Sequence, residues 1–219
     1  MPPPPSLGSW WSTHLQLPGY DPIATAGLCR FDMRAAEQAL TFCTQLLDRS
    51  LSAWEAAIIL NLWGWRRADG RRRYVTVYAE PYRQDALIMW CAVLALWLLR
   101  AAPPRRPPHV TLSYAQAPLA AQIYAQVATS LTRQPALLGT LSLEPAQQSV
   151  ETSRGGRLSF DWLAELYTGE ILLRREEEQP LTLAVSTRDA ERSPLVEPLA
   201  EAAQQALAGQ PGVILPAVV

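Results

Sequence analysis

The chain has 219 residues, 49% of them hydrophobic, and a formal net charge of −1. That length allows one domain or one and a fraction; the apolar share supports a sizeable core and excludes wholesale disorder, and the charge balance excludes a global pull toward nucleic acid or an anionic membrane. All 19 basic residues are arginine, which excludes a Schiff base, a lysine general base and a phosphate-loop lysine.

Residues 1–30 are rich in Pro, Gly, Ser and Trp, without periodicity. Residues 2–5 are expected to be extended polyproline, Trp10 and Trp11 to pack on the domain surface, and the segment to be an arm rather than core. From Phe31 the pattern turns helical. Asp32 is a good N-cap, and Ala36, Ala39, Leu40, Cys43, Leu46 and Leu47 form one apolar stripe. Ser52 caps a second helix, with Glu55 three residues on as a capping box and Trp54, Ile58, Ile59, Leu62 and Trp63 as its apolar residues. It should end near Gly64, before a charged turn, RRADGRRR, at 66–73.

The centre of the chain is the stretch 74–99. Tyr74, Val75, Thr76, Val77 and Tyr78 suit a buried strand, and Pro81, with no N–H to give, stops the ladder. Gln84 and Asp85 can cap a long apolar helix over 86–100. A strand feeding a helix through a short loop is where nucleotide-binding α/β proteins place their phosphate loop. After a proline–arginine linker at 102–108, residues 109–114 alternate as a second strand, 118–131 form a second crossover helix and 139–143 a third strand. That order implies parallel pairing with right-handed crossovers. Residues 144–157, with Gly155-Gly156, read as a loop; 158–173 are ambiguous; a Glu-rich turn follows at 176–178. Residues 180–187 hold a clean strand, LTLAVST, and 195–207 a terminal helix closed by Gly209. The final PGVILPAVV shows no partner.

Cys29, Cys43 and Cys91 have no C-x-x-C spacing, and His14 and His109 stand alone among prolines and loop residues, so the sequence offers no zinc pattern. An odd cysteine count and no evident signal peptide point to a reducing, cytoplasmic setting. The uncharged run at 86–99 falls short of the roughly 20 residues a bilayer requires, so no membrane span is expected.

Four stretches in order resemble the ATPase half of the tailed-phage terminase large subunit, the motor that packages DNA into proheads. They are Phe31-Asp32 with Ala36 and Phe42 through Trp54-Glu55 and LWGWRRADG at 62–70; RRY at 72–74 through EPYR at 80–83; TLSYA at 111–115 with the helix holding Gln122 and Ala125; and QPLTLAVST at 179–187. The resemblance implies a three-layer α/β fold with a mainly parallel sheet of P-loop NTPase type, preceded by a helical hairpin. Helices over 86–100 and 118–131 should cover the sheet faces. It further implies an ATPase-like domain over 31–219 whose nuclease partner domain is missing, and ATP with Mg²⁺ as the family's cofactors. Its partners would be a portal, a small terminase or an intact large terminase, and double-stranded DNA.

At the nucleotide positions the residues depart from the family. A phosphate loop needs glycines, a Lys and a Ser or Thr hydroxyl for Mg²⁺. The triplet at the helix start reads Asp85-Ala86-Leu87, with Gln84 before it and Arg83 the only nearby cation, and Glu55 takes the place of an adenine-contacting Gln. No apolar strand ends in Asp-Glu; Asp161 and Glu165 are the only stand-ins, and their spacing fits one face of a helix. Ser186-Thr187 matches the motif that couples hydrolysis to movement, or is a strand end with two hydroxyls. Arg66, Arg67, Arg71, Arg72 and Arg73 either grip a DNA backbone or form a solvated turn. The tryptophans at helical spacing read as core. The expectation is a motor relative with impaired or lost ATP hydrolysis and no bound cofactor; the alternative is a non-catalytic phage or prophage assembly module.

Overall fold

The sequence signals that depend on neighbouring residues are realised directly. Asp32 Oδ1 accepts from the Ala35 N–H at 3.0 Å and starts helix α2, Met33–Leu47, whose stripe buries Ala36, Ala39, Phe42, Cys43 and Leu46. The Ser52–Glu55 capping box forms at the head of α3, Ala53–Gly64. The two helices pack together as the expected hairpin. Gly64 is required by a close approach: a Cβ there would lie 2.1 Å from Phe31 Cε2.

A computed structural model describes residues 9–47, 49–81, 85–101, 107–138, 140–175, 180–187, 190–209 and 214–218. Before α2 come a short helix α1, Ser9–His14, and strand β1, Arg30–Phe31. After α3 come β2, Trp65–Arg66; β3, Thr76–Glu80; α4, Asp85–Arg100; β4, His109–Tyr114; α5, Ala117–Thr132; and α6, Pro135–Leu138. The chain continues through β5, Leu141–Glu144; β6, Ser149–Thr152; β7, Arg157–Trp162; β8, Ile171–Arg175; β9, Leu181–Val185; α7, Glu197–Leu207; and β10, Ile214–Val218. Strands β1 and β2 pair with each other; the other eight form one sheet in the order β10-β3-β9-β8-β4-β7-β6-β5.

The sheet is mixed, not mainly parallel. Only β10–β3, β3–β9 and β4–β7 pair in parallel, because β8 and β6 run against the other six strands. The helical crossovers after β3 and β4 do return the chain in its original direction, yet each skips two positions. Short antiparallel connections fill the gaps. Residues 144–157 are not one loop but the β5–β6 connection, β6 and the turn into β7, and 158–173 become most of β7, a turn and most of β8. The final segment, which showed no partner in sequence, is β10, paired in parallel with β3 at the sheet edge. Pro216 is tolerated there because an edge strand leaves one row of backbone groups unpaired.

The period of two along the strands sorts side chains onto two faces. Val77, Leu183, Ile171 and Leu173 face a large core that also holds residues of α2, α3, α4 and α5. Tyr78, Ala184 and Leu172 face the opposite way, toward Ala200, Ala203 and Ala206 of α7. Helices 86–100 and 118–131 therefore share one face, and α7 covers the other. At 16 residues, α4 is not long enough to span a bilayer, and no helix among the described residues is long and apolar enough to do so.

The expected polyproline at 2–5 lies outside the described residues, and residues 15–26 contribute to the core rather than forming an arm. Leu15, Leu17, Tyr20 and Ala26 are buried in the main cluster, and the buried Asn61 donates to the Leu15 carbonyl at 2.7 Å. Trp11 packs edge-on against Phe31, while Trp10 is exposed. The linker at 102–106, Gly139 and the acidic turn at 176–178 lie outside the described residues.

Candidate functional site

In an open α/β sheet the ligand crevice lies at the carboxyl ends of neighbouring strands whose outgoing connections leave in opposite directions. Here β3 and β9 meet that description. The chain leaving β3 crosses through α4 to β4 on one side, and the chain leaving β9 crosses through α7 to β10 on the other.

The side chains at this point form a closed polar group. Glu80, the last residue of β3, is 4% exposed. Its Oε1 accepts from Arg192 at 2.6 Å, and Arg192 Nε donates to the Tyr78 hydroxyl at 2.9 Å. These bonds, the one to Glu80 foremost, hold the Arg192 guanidinium above its ordinary value. Burial, then the Glu80 charge, pushes the Tyr78 phenol up, so it stays protonated. Arg192 also lies 3.6 Å from Glu197 in the first turn of α7. Behind the pair, Glu170 is buried and accepts from the backbone N–H groups of Tyr167 and Ser193, each at 2.8 Å. Ser186 and Ser193 are buried, and neither hydroxyl finds a hydrogen-bond partner among the described residues. The Ser186 N–H extends the ladder by donating to the Ala79 carbonyl at 3.1 Å, and Thr187 Oγ1 lies 3.5 Å from the Gly169 carbonyl.

No protein-family model, curated protein or solved structure matches this chain. The site must therefore be judged on its own geometry.

Ser186 and Thr187 follow the end of β9, at the switch point. Leu87 does not face it: its side chain is buried in the main core from the first turn of α4. Asp85 and Ala86 open that helix, and Arg83 and Gln84 lie outside the described residues. Glu55 is taken up locally. Arg49 grips both its oxygens, at 2.6 and 3.0 Å, and the Ser52 N–H and hydroxyl bind Oε2. Burial pushes the Glu55 carboxyl up, but these hydrogen bonds outweigh it and hold the group below the usual carboxylate range.

Asp161 and Glu165 do not share a helix. Asp161 is an exposed residue of β7, and Glu165 sits in the turn after it. Strand β7 is three sheet positions from β9, so Asp161 stands about 14 Å away at the usual strand spacing. Among the described residues no group of three His, Cys, Asp or Glu side chains is placed to hold a metal. The buried carboxylate of Glu80 stands at the end of β3, bonded to Arg192.

The five turn arginines divide. Arg67 and Arg71 are exposed, and Arg66 is half-buried. Arg73 is buried across Trp65 and Tyr74 and donates to the carbonyls of Pro22 and Thr25. Arg72 is buried near Arg66 and Arg175. They are not one solvated turn, and they present no single DNA-facing stripe. Sequence reasoning missed Glu80, Arg192 and Glu170. The only signal was a carboxylate ending an apolar strand at Glu80; nothing local ties it to an arginine 112 residues later.

Proposed function

We propose that this protein is a terminase large-subunit-like relative of the ATP-driven phage DNA-packaging motor, with ATP hydrolysis impaired or lost. The fold is read as a P-loop NTPase variant in which the strand beside β9 is reversed. Support comes from the ordered sequence stretches and from the β3–α4 junction lying at a topological switch point. One observation carries the loss of activity: the Glu80–Arg192 pair occupies the strand end where phosphates would approach. Burying a triphosphate beside a paired carboxylate would break that pair and add like charge. A steady-state assay of the purified chain with ATP and Mg²⁺ is expected to show no turnover. Turnover abolished by Arg83→Ala or Asp85→Ala would overturn the reading.

A second reading, an assembly module in the host cytoplasm that docks on a portal, a small terminase or an intact large terminase, is favoured by Trp162 and Tyr167. Both are exposed, at 56% and 39%, and both lie at this same edge, where exposed aromatics serve as interface anchors. Pull-down with such partners should succeed with the parent chain and fail with Trp162→Ala. Any double-stranded DNA contact through the 66–73 turn would fall to Arg67 and Arg71. Portal and capsid genes beside this one would support both readings.

A further inference from the structure

The connection from β7 to β8 passes the carboxyl end of β4 as two tight turns. The Leu166 N–H donates to the Leu163 carbonyl at 3.1 Å, and the Glu170 N–H to the Tyr167 carbonyl at 3.0 Å. Inward contacts fix it in place. The Leu163 N–H donates to the Tyr114 carbonyl at 3.0 Å, and Leu163 and Leu166 pack into the cluster under α7. The buried Glu170 carboxylate accepts from the Tyr167 N–H at 2.8 Å. Outward, the same stretch presents two aromatic rings, Trp162 and Tyr167, and two carboxylates, Asp161 and Glu165. We propose that this surface docks a cationic segment of a partner protein, whose arginine or lysine side chains lie on the two rings and pair with the two carboxylates. The proposal rests on the assembly-module reading and gives that partner a chemistry.

Charge selects the occupant. Between Arg157 and Arg174 the chain has no Arg, Lys or His, only Asp161, Glu165 and Glu170. Asp161 accepts from the Ser159 hydroxyl at 3.3 Å, and among the described residues neither Asp161 nor Glu165 forms an ion pair. An anionic partner would be repelled, and an uncharged one would cover carboxylates without answering them. A guanidinium stacks on an aromatic face while its N–H fork meets a carboxylate, so a single side chain uses both parts of the surface. Rigidity adds to this. Trp162 Nε1 donates to the Ala115 carbonyl at 3.1 Å, so an indole that is 56% exposed is nonetheless held in one orientation. A ring held in advance loses little freedom on docking, which matters where each exposed charge pair contributes little by itself. Arg83, Arg188, Glu176, Glu177 and Glu178 lie outside the described residues and enter the test as variants.

Fluorescence anisotropy of a dye-labelled hexa-arginine peptide titrated with the full chain tests the proposal, with a hexaglutamate peptide as its counterpart. Saturable binding of hexa-arginine is expected, with Kd below ~1 mM at low salt and about tenfold weaker at ~0.3 M salt. Hexaglutamate should not bind. Trp162→Ala, and separately Asp161→Asn combined with Glu165→Gln, each checked for folding by circular dichroism, should weaken binding about fivefold or more. Trp10→Ala and Glu37→Gln, exposed elsewhere, should leave it unchanged. No saturable binding, or undiminished binding by both surface variants, would overturn the proposal. So would binding lost when Glu176, Glu177 and Glu178 are changed to Gln but kept in Trp162→Ala, since the peptide would then sit elsewhere. Binding that arises only when Arg83 and Arg188 are changed to Gln would also overturn it, because the chain's own cations would then cover the surface. Self-association abolished by Trp162→Ala would assign the surface to a second copy instead. Capture of a portal or terminase that fails in Trp162→Ala but survives in the Asp161→Asn, Glu165→Gln variant would defeat the cationic chemistry alone; capture that survives Trp162→Ala would defeat the assembly-module anchor itself.

Discussion

At the carboxyl edge of the sheet the Glu80 carboxylate meets Arg192 at 2.6 Å, whereas at the amino edge Arg66, Arg72 and Arg175 meet one another around a cavity. Both groups are assembled by strands from distant parts of the chain, and both take charge out of water. The first is complete within the chain: carboxylate, guanidinium and phenol answer one another. The second brings three arginines to one cavity, two of them buried. The edge that topology marks for a ligand is thus the one already closed by an ion pair. Fold position and site chemistry are separate properties.

The largest expected effect tests whether the first edge is closed by its ion pair. Arg192→Ala leaves a buried carboxylate alone and should cost ~3 kcal/mol in urea unfolding. Adding Glu80→Gln should restore much of that, and no loss in the single variant would remove the pair from the argument. Glu55, paired with Arg49 away from both edges, is an internal reference. Glu55→Gln should cost ~2 kcal/mol at neutral pH. Because the folded-state carboxyl is held low, its stabilising contribution is present above the ordinary carboxylate range and is lost as pH falls through the lowered value. The gap between parent and variant should therefore close on acidification.

A smaller effect concerns the unanswered hydroxyl at the closed edge. Ser186→Ala should be neutral or stabilise by up to ~1 kcal/mol, since Ser186 Oγ is buried without a partner among the described residues. A clear loss would mean that the hydroxyl has a partner in use. The smallest effect is expected at the amino edge. There Arg66→Gln should change urea-unfolding stability by no more than ~0.5 kcal/mol, because Asp32 favours the Arg66 charge while Arg30 opposes it. A large loss for Arg192→Ala beside a near-neutral Arg66→Gln would sharpen the contrast between the edges.

The sequence alone determined what nearest neighbours and periodicity control. The Asp32 cap, the Ser52–Glu55 box, the apolar run of α4 and the alternation of β4 and β9 depend on residues a few positions apart, and each appears near its expected place. The absence of lysine and of a glycine-rich loop was equally legible, because it is a property of composition. Tertiary structure decided which strands lie together. A period of two reports a strand but not its neighbour or direction, so the reversal of β8, the insertion of β7 and β6, and the seat of β10 against β3 carried no local mark. It also decided which charges are buried. Arg73 is accommodated by carbonyls of Pro22 and Thr25 some fifty residues away, while Arg67 in the same turn is left in water. Burial of a charge depends on partners that folding brings from afar, and no stretch of eight residues contains them.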